Sequence, residues 1–129
     1  MAMAENAVRV VNLEKNYRKI KAVDGISFEI PEGEAFGLLG PNGAGKTTTV
    51  RILLTLIQPS AGSAHIFGMD TVSQSDRIRQ VAGYVPQGIS VDGEITAYEN
   101  MLIYSKLYGI PSSQRKGRIN EVLEYIGLV

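Results

Sequence analysis

Cysteine is missing from all 129 residues. Without a thiol the chain can hold no disulfide, no iron–sulfur cluster and no thiolate zinc site. A reducing compartment fits that composition. Charge of either sign is also not in excess, because 13 basic side chains balance 13 acidic ones. A neutral domain lacks the electrostatic footprint of non-specific nucleic-acid binding, so no nucleic-acid partner is expected. Long apolar runs are absent too. The best, Val50 to Ile57, contains Arg51 and Thr55 and falls far short of the ~20 residues a membrane span needs. Met1 to Glu5 has neither the basic start nor the apolar stretch of a secretory signal. Any role at a membrane therefore calls on another chain to cross it. Repeats, low-complexity tracts and internal linkers are not seen.

What is present suits a folded core. Hydrophobic residues make up 44% and charged residues 20%, ordinary for one domain, which is expected over 1–129. Val8 to Val10 alternates briefly and reads as a weak strand, but Val11 to Leu13 breaks the pattern. Ile26 to Ile30 alternates cleanly, which predicts a strand with one wet face. Pro31 to Glu34 reads as a turn. Ala35 to Leu39 is apolar throughout, which predicts a central strand covered on both faces. Val50, Leu53, Leu54 and Ile57 fall at helical spacing and predict a helix from about Thr47 to Ile57. Ala64 to Phe67 reads as a short strand, Gly68 to Asp70 as a turn, Asp76 to Val81 as a short helix and Ala82 to Val85 as another strand. Thr96 and Glu99 form a capping-box pattern that opens a helix to about Tyr108, with Gly109 and Pro111 behind it. A last helix, capped by Ser112 or Ser113, would carry Ile119, Val122, Leu123 and Ile126 on one face and end at Gly127.

One stretch carries chemistry. Gly40-Pro41-Asn42-Gly43-Ala44-Gly45-Lys46-Thr47 fits G-x-x-x-x-G-K-[ST], between an expected strand and an expected helix. Phosphate oxygens need several backbone N–H groups converging at close range. Glycine permits the required dihedrals and places no Cβ in the way. A helix starting near Lys46 adds free N–H groups and the positive end of its dipole. Lys46 would reach the β- and γ-phosphates, and the Thr47 hydroxyl would meet Mg²⁺. A solvent lysine on a Gly-rich turn would not explain Gly45, Lys46 and Thr47 together at a helix start.

These residues resemble the first part of an ABC-transporter ATP-binding subunit. The resemblance runs through "YRKIKAVDGISFEIPEGEAFGLLGPNGAGKTTT", the hairpin "SAGSAHIFGMD", the Q-loop-like "GYVPQ" and the helix start "ITAYENM". The closest flavour is the drug- and antibiotic-exporter branch. It implies an α/β P-loop NTPase fold with an N-terminal antiparallel β part. ATP and Mg²⁺ are the implied cofactors, with Asn42, Gly43, Ala44, Gly45, Lys46, Thr47 and Thr48 wrapping the phosphates. Tyr17 matches the aromatic residue that stacks on adenine, a role suited to a flat ring. Val23 matches the apolar residue near the base, although ordinary packing explains it equally well. Gln87 matches the Q-loop glutamine that contacts Mg²⁺ and the attacking water. Lys46 and Gln87 are thus the candidate catalytic residues, and Thr47 and Gln87 the candidate metal contacts.

The resemblance implies two partners, a membrane permease and a second ATP-binding subunit, and a cytoplasmic position against the inner face of the membrane. The segment Gln87 to Met101, with Ile89, Val91, Ile95 and Tyr98, is the expected permease-docking face. The family's signature loop, Walker B strand, catalytic Glu and switch histidine have no match. The chain is therefore expected to be an N-terminal piece, truncated before the signature motif. It should be marginally stable, bind ATP weakly and turn over none. A soluble ABC-type ATPase acting on nucleic acid or ribosomes is the alternative. It is disfavoured by charge and by the short spacing from Lys46 to Gln87, which leaves no room for a coiled-coil arm. Neither N-K-x-D nor D-x-x-G occurs, which argues against a GTPase. His65 reads as structural. Asp70 follows an apolar run, but Gly68 interrupts that run and no Glu follows, so it is rejected as a Walker B carboxylate. Arg115, Lys116 and Arg118 read as a solvated helix face.

Overall fold

A computed structural model describes residues 6–128. They form two compact units, the first reaching Tyr84 and the second beginning at Val85. In the first unit, β1 (Asn6–Tyr17) and β2 (Ile20–Pro31) form a long hairpin. They are followed by α1 (Lys46–Leu53), β3 (Ala61–Ile66), β4 (Met69–Asp70) and α2 (Ser75–Val81). The sheet is antiparallel, in the order β2-β1-β3-β4. In the second unit, α3 (Ala97–Leu107) packs on α4 (Ser112–Tyr125). The α/β class and the antiparallel N-terminal part are as expected.

The pattern break at Val11 to Leu13 has a physical cause. Side chains alternate along a strand, so Val10 and Leu13 can share a face only if one residue is inserted between them. Asn12 is that residue, with φ 45°, and the pairing of β1 shifts between Val10 and Leu13. The bulge is held by Ser27, whose Oγ accepts from the Asn12 N–H at 2.7 Å. Gly62 of β3 backs onto it so closely that a Cβ there would sit 2.1 Å from the Asn12 carbonyl oxygen. The weak strand expected over three residues is thus a twelve-residue one. Val10, Leu13, Val23, Ala64 and Ile52 close the core, with Val8, Ile26, Phe28, Leu53 and Ile57 packed against it.

Several boundaries differ from expectation. α1 ends at Leu53 instead of running to Ile57, and its buried face is centred on Thr49 and Ile52. Thr55 adopts φ 61°, its N–H donates to the Ile52 carbonyl, and the Leu56 N–H donates to the Arg51 carbonyl. This is a Schellman closure with threonine where glycine is usual, so no glycine marks it in the sequence. Ala35 to Leu39 is not a strand. A strand needs neighbours to pair its N–H and C=O groups, and among the described residues nothing pairs this segment. Phe36 instead lies flat on Phe28, with ring centroids 5.3 Å apart, and Leu39 is 92% exposed. Ala82 to Val85 is likewise unpaired. The expected turn at Gly68 to Asp70 falls at Phe67–Gly68, leaving Met69 and Asp70 as β4.

The ends of α3 follow expectation. The Thr96 Oγ accepts from the Glu99 N–H at 3.2 Å, and a Glu99 carboxylate oxygen accepts from the Thr96 N–H at 2.8 Å. The Thr96 N–H and then the Thr96 hydroxyl, both donating to the Glu99 carboxylate, hold it below the ordinary carboxylate range. Gly109 and Gly127 close α3 and α4 at positive φ. Neither Ser112 nor Ser113 caps α4, since Pro111 occupies the cap position. Ile119 and Leu123 are the buried residues of α4, while Val122 and Ile126 are about half exposed.

Candidate phosphate-binding site

The loop from Gly40 leads directly into α1. Its first turn is closed by the Ala44 N–H, which donates to the Pro41 carbonyl at 3.2 Å. Gly45 caps α1 with φ 87° and ψ 5°, a left-handed conformation natural to glycine. A Cβ on Gly45 would lie 2.2 Å from the Ala22 carbonyl oxygen and 3.2 Å from Val23 Cγ2. The loop is therefore seated against β2. A glycine cap offers no side-chain acceptor, and none is found. The first amides of α1 are left for an acceptor from outside.

Lys46 arches back over this loop. Its ammonium donates to the Gly40 carbonyl and to the Pro41 carbonyl, the latter at 2.7 Å. The loop backbone and the ammonium thereby form one connected donor surface. The three threonines that follow are sorted by the helical twist of ~100° per residue. Thr47 is exposed, Thr48 is half-buried, and Thr49 is buried at 1% exposure. The Thr49 hydroxyl donates to the Gly45 carbonyl at 2.9 Å, alongside the Thr49 N–H at 2.8 Å. Thr49 thus fastens the cap, while Thr47 keeps its hydroxyl at the surface. Asn42, Gly43 and Ala44 are exposed.

Tyr17 ends β1 in this same unit and is 44% exposed. The Lys15 ammonium lies 5.2 Å from its ring centroid. Val23 is only 3% exposed and packs in the core. Gln87 is exposed and lies in the second unit, in a segment without helix or strand. Sequence reasoning passed over Asn100 and Tyr104, which order that segment. Asn100 is 9% exposed, accepts from the Asp92 N–H and donates to the Asp92 carbonyl, both at 2.9 Å. The Tyr104 hydroxyl donates to the Ser90 carbonyl at 3.0 Å. An Asn one turn into a helix carries no sign of which way it bonds, so the sequence offered no signal.

Asp70 is occupied elsewhere. It accepts from the Ser73 N–H and hydroxyl and from the Val72 N–H, which lowers its pKa, and His65 stands 3.9 Å away. Asp70 thus holds the turn after β4, and His65 lies on β3. Among the described residues no cluster of three or more His, Cys, Asp or Glu could hold a metal.

The profile of the family described as "ABC transporter" matches residues 23–129. The chain belongs to the ABC transporter family. Among curated ABC relatives, it is 42% identical to a linearmycin resistance ATP-binding protein of Bacillus subtilis, over 91% of this chain and 38% of that protein. It is 43% identical to a doxorubicin resistance ATP-binding protein of Mycobacterium tuberculosis, over 100% of this chain and 38% of the relative. Among solved structures, the ATP-binding subunit of an ABC transporter superposes with a TM-score of 0.79 at 25% identity. That match covers 95% of this chain and 51% of the other. A dimeric post-hydrolysis structure of the ATP-binding cassette MJ0796, bound to ADP and Pi, superposes at 0.73 with 28% identity, over 91% of this chain and 56% of that one. The chain thus spans about two fifths of the curated relatives and about half of the solved structures.

Proposed function

We propose that this chain supplies the phosphate- and base-binding part of an exporter-type ABC ATP-binding subunit. The observation that carries the reading is the helix start at Gly45–Lys46. An uncapped first turn, a glycine seat against β2 and a lysine folded over the loop together make a cradle for a polyphosphate. The donor set fits such a ligand, being rich in N–H groups and free of carboxylates. Asn42 to Thr48 would hold the phosphates, with Lys46 leaving its two carbonyls for the β- and γ-phosphate oxygens. Tyr17 would stack on adenine.

The Thr47 hydroxyl and the Gln87 amide oxygen are two neutral oxygens. They would contact a Mg²⁺ that arrives with the nucleotide, not one held by the protein alone. When bound, Mg²⁺ supplies charge neutralisation at the phosphates. Lys46 and Gln87 are the residues assigned to catalysis in the whole subunit, Gln87 by orienting water. Hydrolysis, a second ATP-binding subunit and a membrane permease are proposed for that whole protein, with Gln87 to Met101 as the permease-docking face. Among the described residues no helix is long and apolar enough to cross a membrane, and the proposed station is the cytoplasmic face beside the permease.

Equilibrium binding of ATP, GTP and inorganic tripolyphosphate tests the reading. Tyr17→Ala should weaken ATP and GTP alike by ~1–3 kcal/mol, since stacking reads no base edge. Tripolyphosphate should bind Tyr17→Ala as it binds the unaltered chain. Undiminished ATP affinity in Tyr17→Ala would remove Tyr17 from the site.

A further inference from the structure

The strand that carries Tyr17 is bound to the segment leaving α1. The Lys15 ammonium donates to the Gln58 carbonyl at 2.7 Å. The Asn16 N–H donates to the Ser60 hydroxyl oxygen at 3.0 Å, and the Ser60 N–H donates to the Glu14 carbonyl at 2.8 Å. Three hydrogen bonds over three consecutive β1 residues thus tie the end of that strand to the exit of the phosphate-loop helix. Lys15 does more than tie. Held by Gln58, its ammonium stands 5.2 Å from the Tyr17 ring centroid, inside the ~6 Å range of cation–π attraction. One face of the ring is thereby occupied. Being 44% exposed, Tyr17 keeps surface for a flat partner.

Among the described residues Lys15 forms no ion pair with a carboxylate. Glu14 and Asp24 pair with Lys21 at 3.4 and 2.5 Å. Lys15 is therefore anchored by a neutral carbonyl, and its charge is left to face the ring.

We propose that Lys15 is a positioning residue for the base. It fixes the Tyr17 ring from one face so that an adenine or guanine stacks on the other, and it fastens that platform to the helix that holds the phosphates. The inference rests on the reading of Tyr17 as the base platform. Such a residue should act on the base side of the ligand and leave the phosphate side alone.

The test is calorimetric binding of ATP, ADP and inorganic tripolyphosphate to the chain and to Lys15→Met, Lys15→Arg and Tyr17→Ala. Methionine keeps the length of the stem and removes the charge. Lys15→Met should weaken ATP and ADP equally, by about two- to fivefold, and leave tripolyphosphate unchanged. Lys15→Arg should restore binding, because a guanidinium can both stack on the ring and reach the carbonyl. Loss of tripolyphosphate affinity in Lys15→Met would show a general loosening of the loop and overturn the positioning role. Unchanged ATP affinity in Lys15→Met, with Tyr17→Ala still impaired, would overturn it while sparing the platform. Unchanged ATP affinity in Tyr17→Ala would overturn the platform, and the inference with it.

Discussion

Replacing Gly45 by alanine should destabilise this chain more than the same change at Gly43, two residues earlier. Both glycines have nearly the same positive φ, 87° and 85°. An added methyl group therefore meets the same left-handed strain at either position, ~1–2 kcal/mol. Their surroundings differ. A Cβ on Gly43 meets nothing within 4 Å, whereas on Gly45 it would lie 2.2 Å from the Ala22 carbonyl oxygen. A carbon–oxygen contact needs roughly 1 Å more, so the loop must lift from β2 or β2 must bend. Overpacking of this kind costs ~1–3 kcal/mol. The sum at Gly45 is ~2–5 kcal/mol, against a whole-domain stability of ~5–15 kcal/mol. Urea unfolding followed by far-ultraviolet circular dichroism measures the difference. With a slope of ~1–3 kcal/mol per molar urea, the Gly45→Ala midpoint should fall roughly 1 M below that of Gly43→Ala. The entropy that alanine removes from the unfolded chain is the same for both and cancels. Equal midpoints would refute the seating of the loop against Ala22 and Val23.

Lys46→Ala should abolish ATP and tripolyphosphate binding with little change in the unfolding midpoint, because the ammonium bonds only to loop carbonyls; retained affinity would refute its phosphate role. Thr96→Ala should remove the capping box of α3 and lower stability by ~0.5–2 kcal/mol, read from the same urea curves. Glu99 has its pKa lowered in the folded chain, so its contribution is complete above the ordinary carboxylate pKa and fades as pH falls through the lowered one. The stability gap between Thr96→Ala and the unaltered chain should accordingly narrow under acid, and a gap independent of pH would count against the carboxylate. In a full-length subunit, charged residues at Ile89 and Val91, which are 94% and 58% exposed, should uncouple transport from ATP binding; normal transport would exclude this docking face.

The phosphate loop, the capping box of α3 and the glycine ends of α3 and α4 could be read from the sequence because each is decided locally. A few residues of fixed type, at fixed spacing, satisfy their own backbone groups or leave them free for a ligand. The exporter-like family was legible for the same reason, since its motifs are short and contiguous. Other features required the assembled chain. Ala35 to Leu39 is apolar enough for a strand, yet a strand exists only where a neighbour pairs it, and composition cannot report a neighbour. Asn12 and Thr55 take left-handed backbone angles that their types do not announce. One is held by Ser27 and Gly62 across the sheet, and the other by Arg79 from α2, whose Nε donates to the Thr55 hydroxyl at 3.0 Å. Thr47, Thr48 and Thr49 look alike in sequence, and only the rotation of α1 against the core turns Thr49 inward and leaves Thr47 outside. The bond from Lys15 to Gln58 joins residues 43 positions apart. Local pattern determines what a segment is able to bind; packing between segments distant in sequence decides which way each side chain faces when it does.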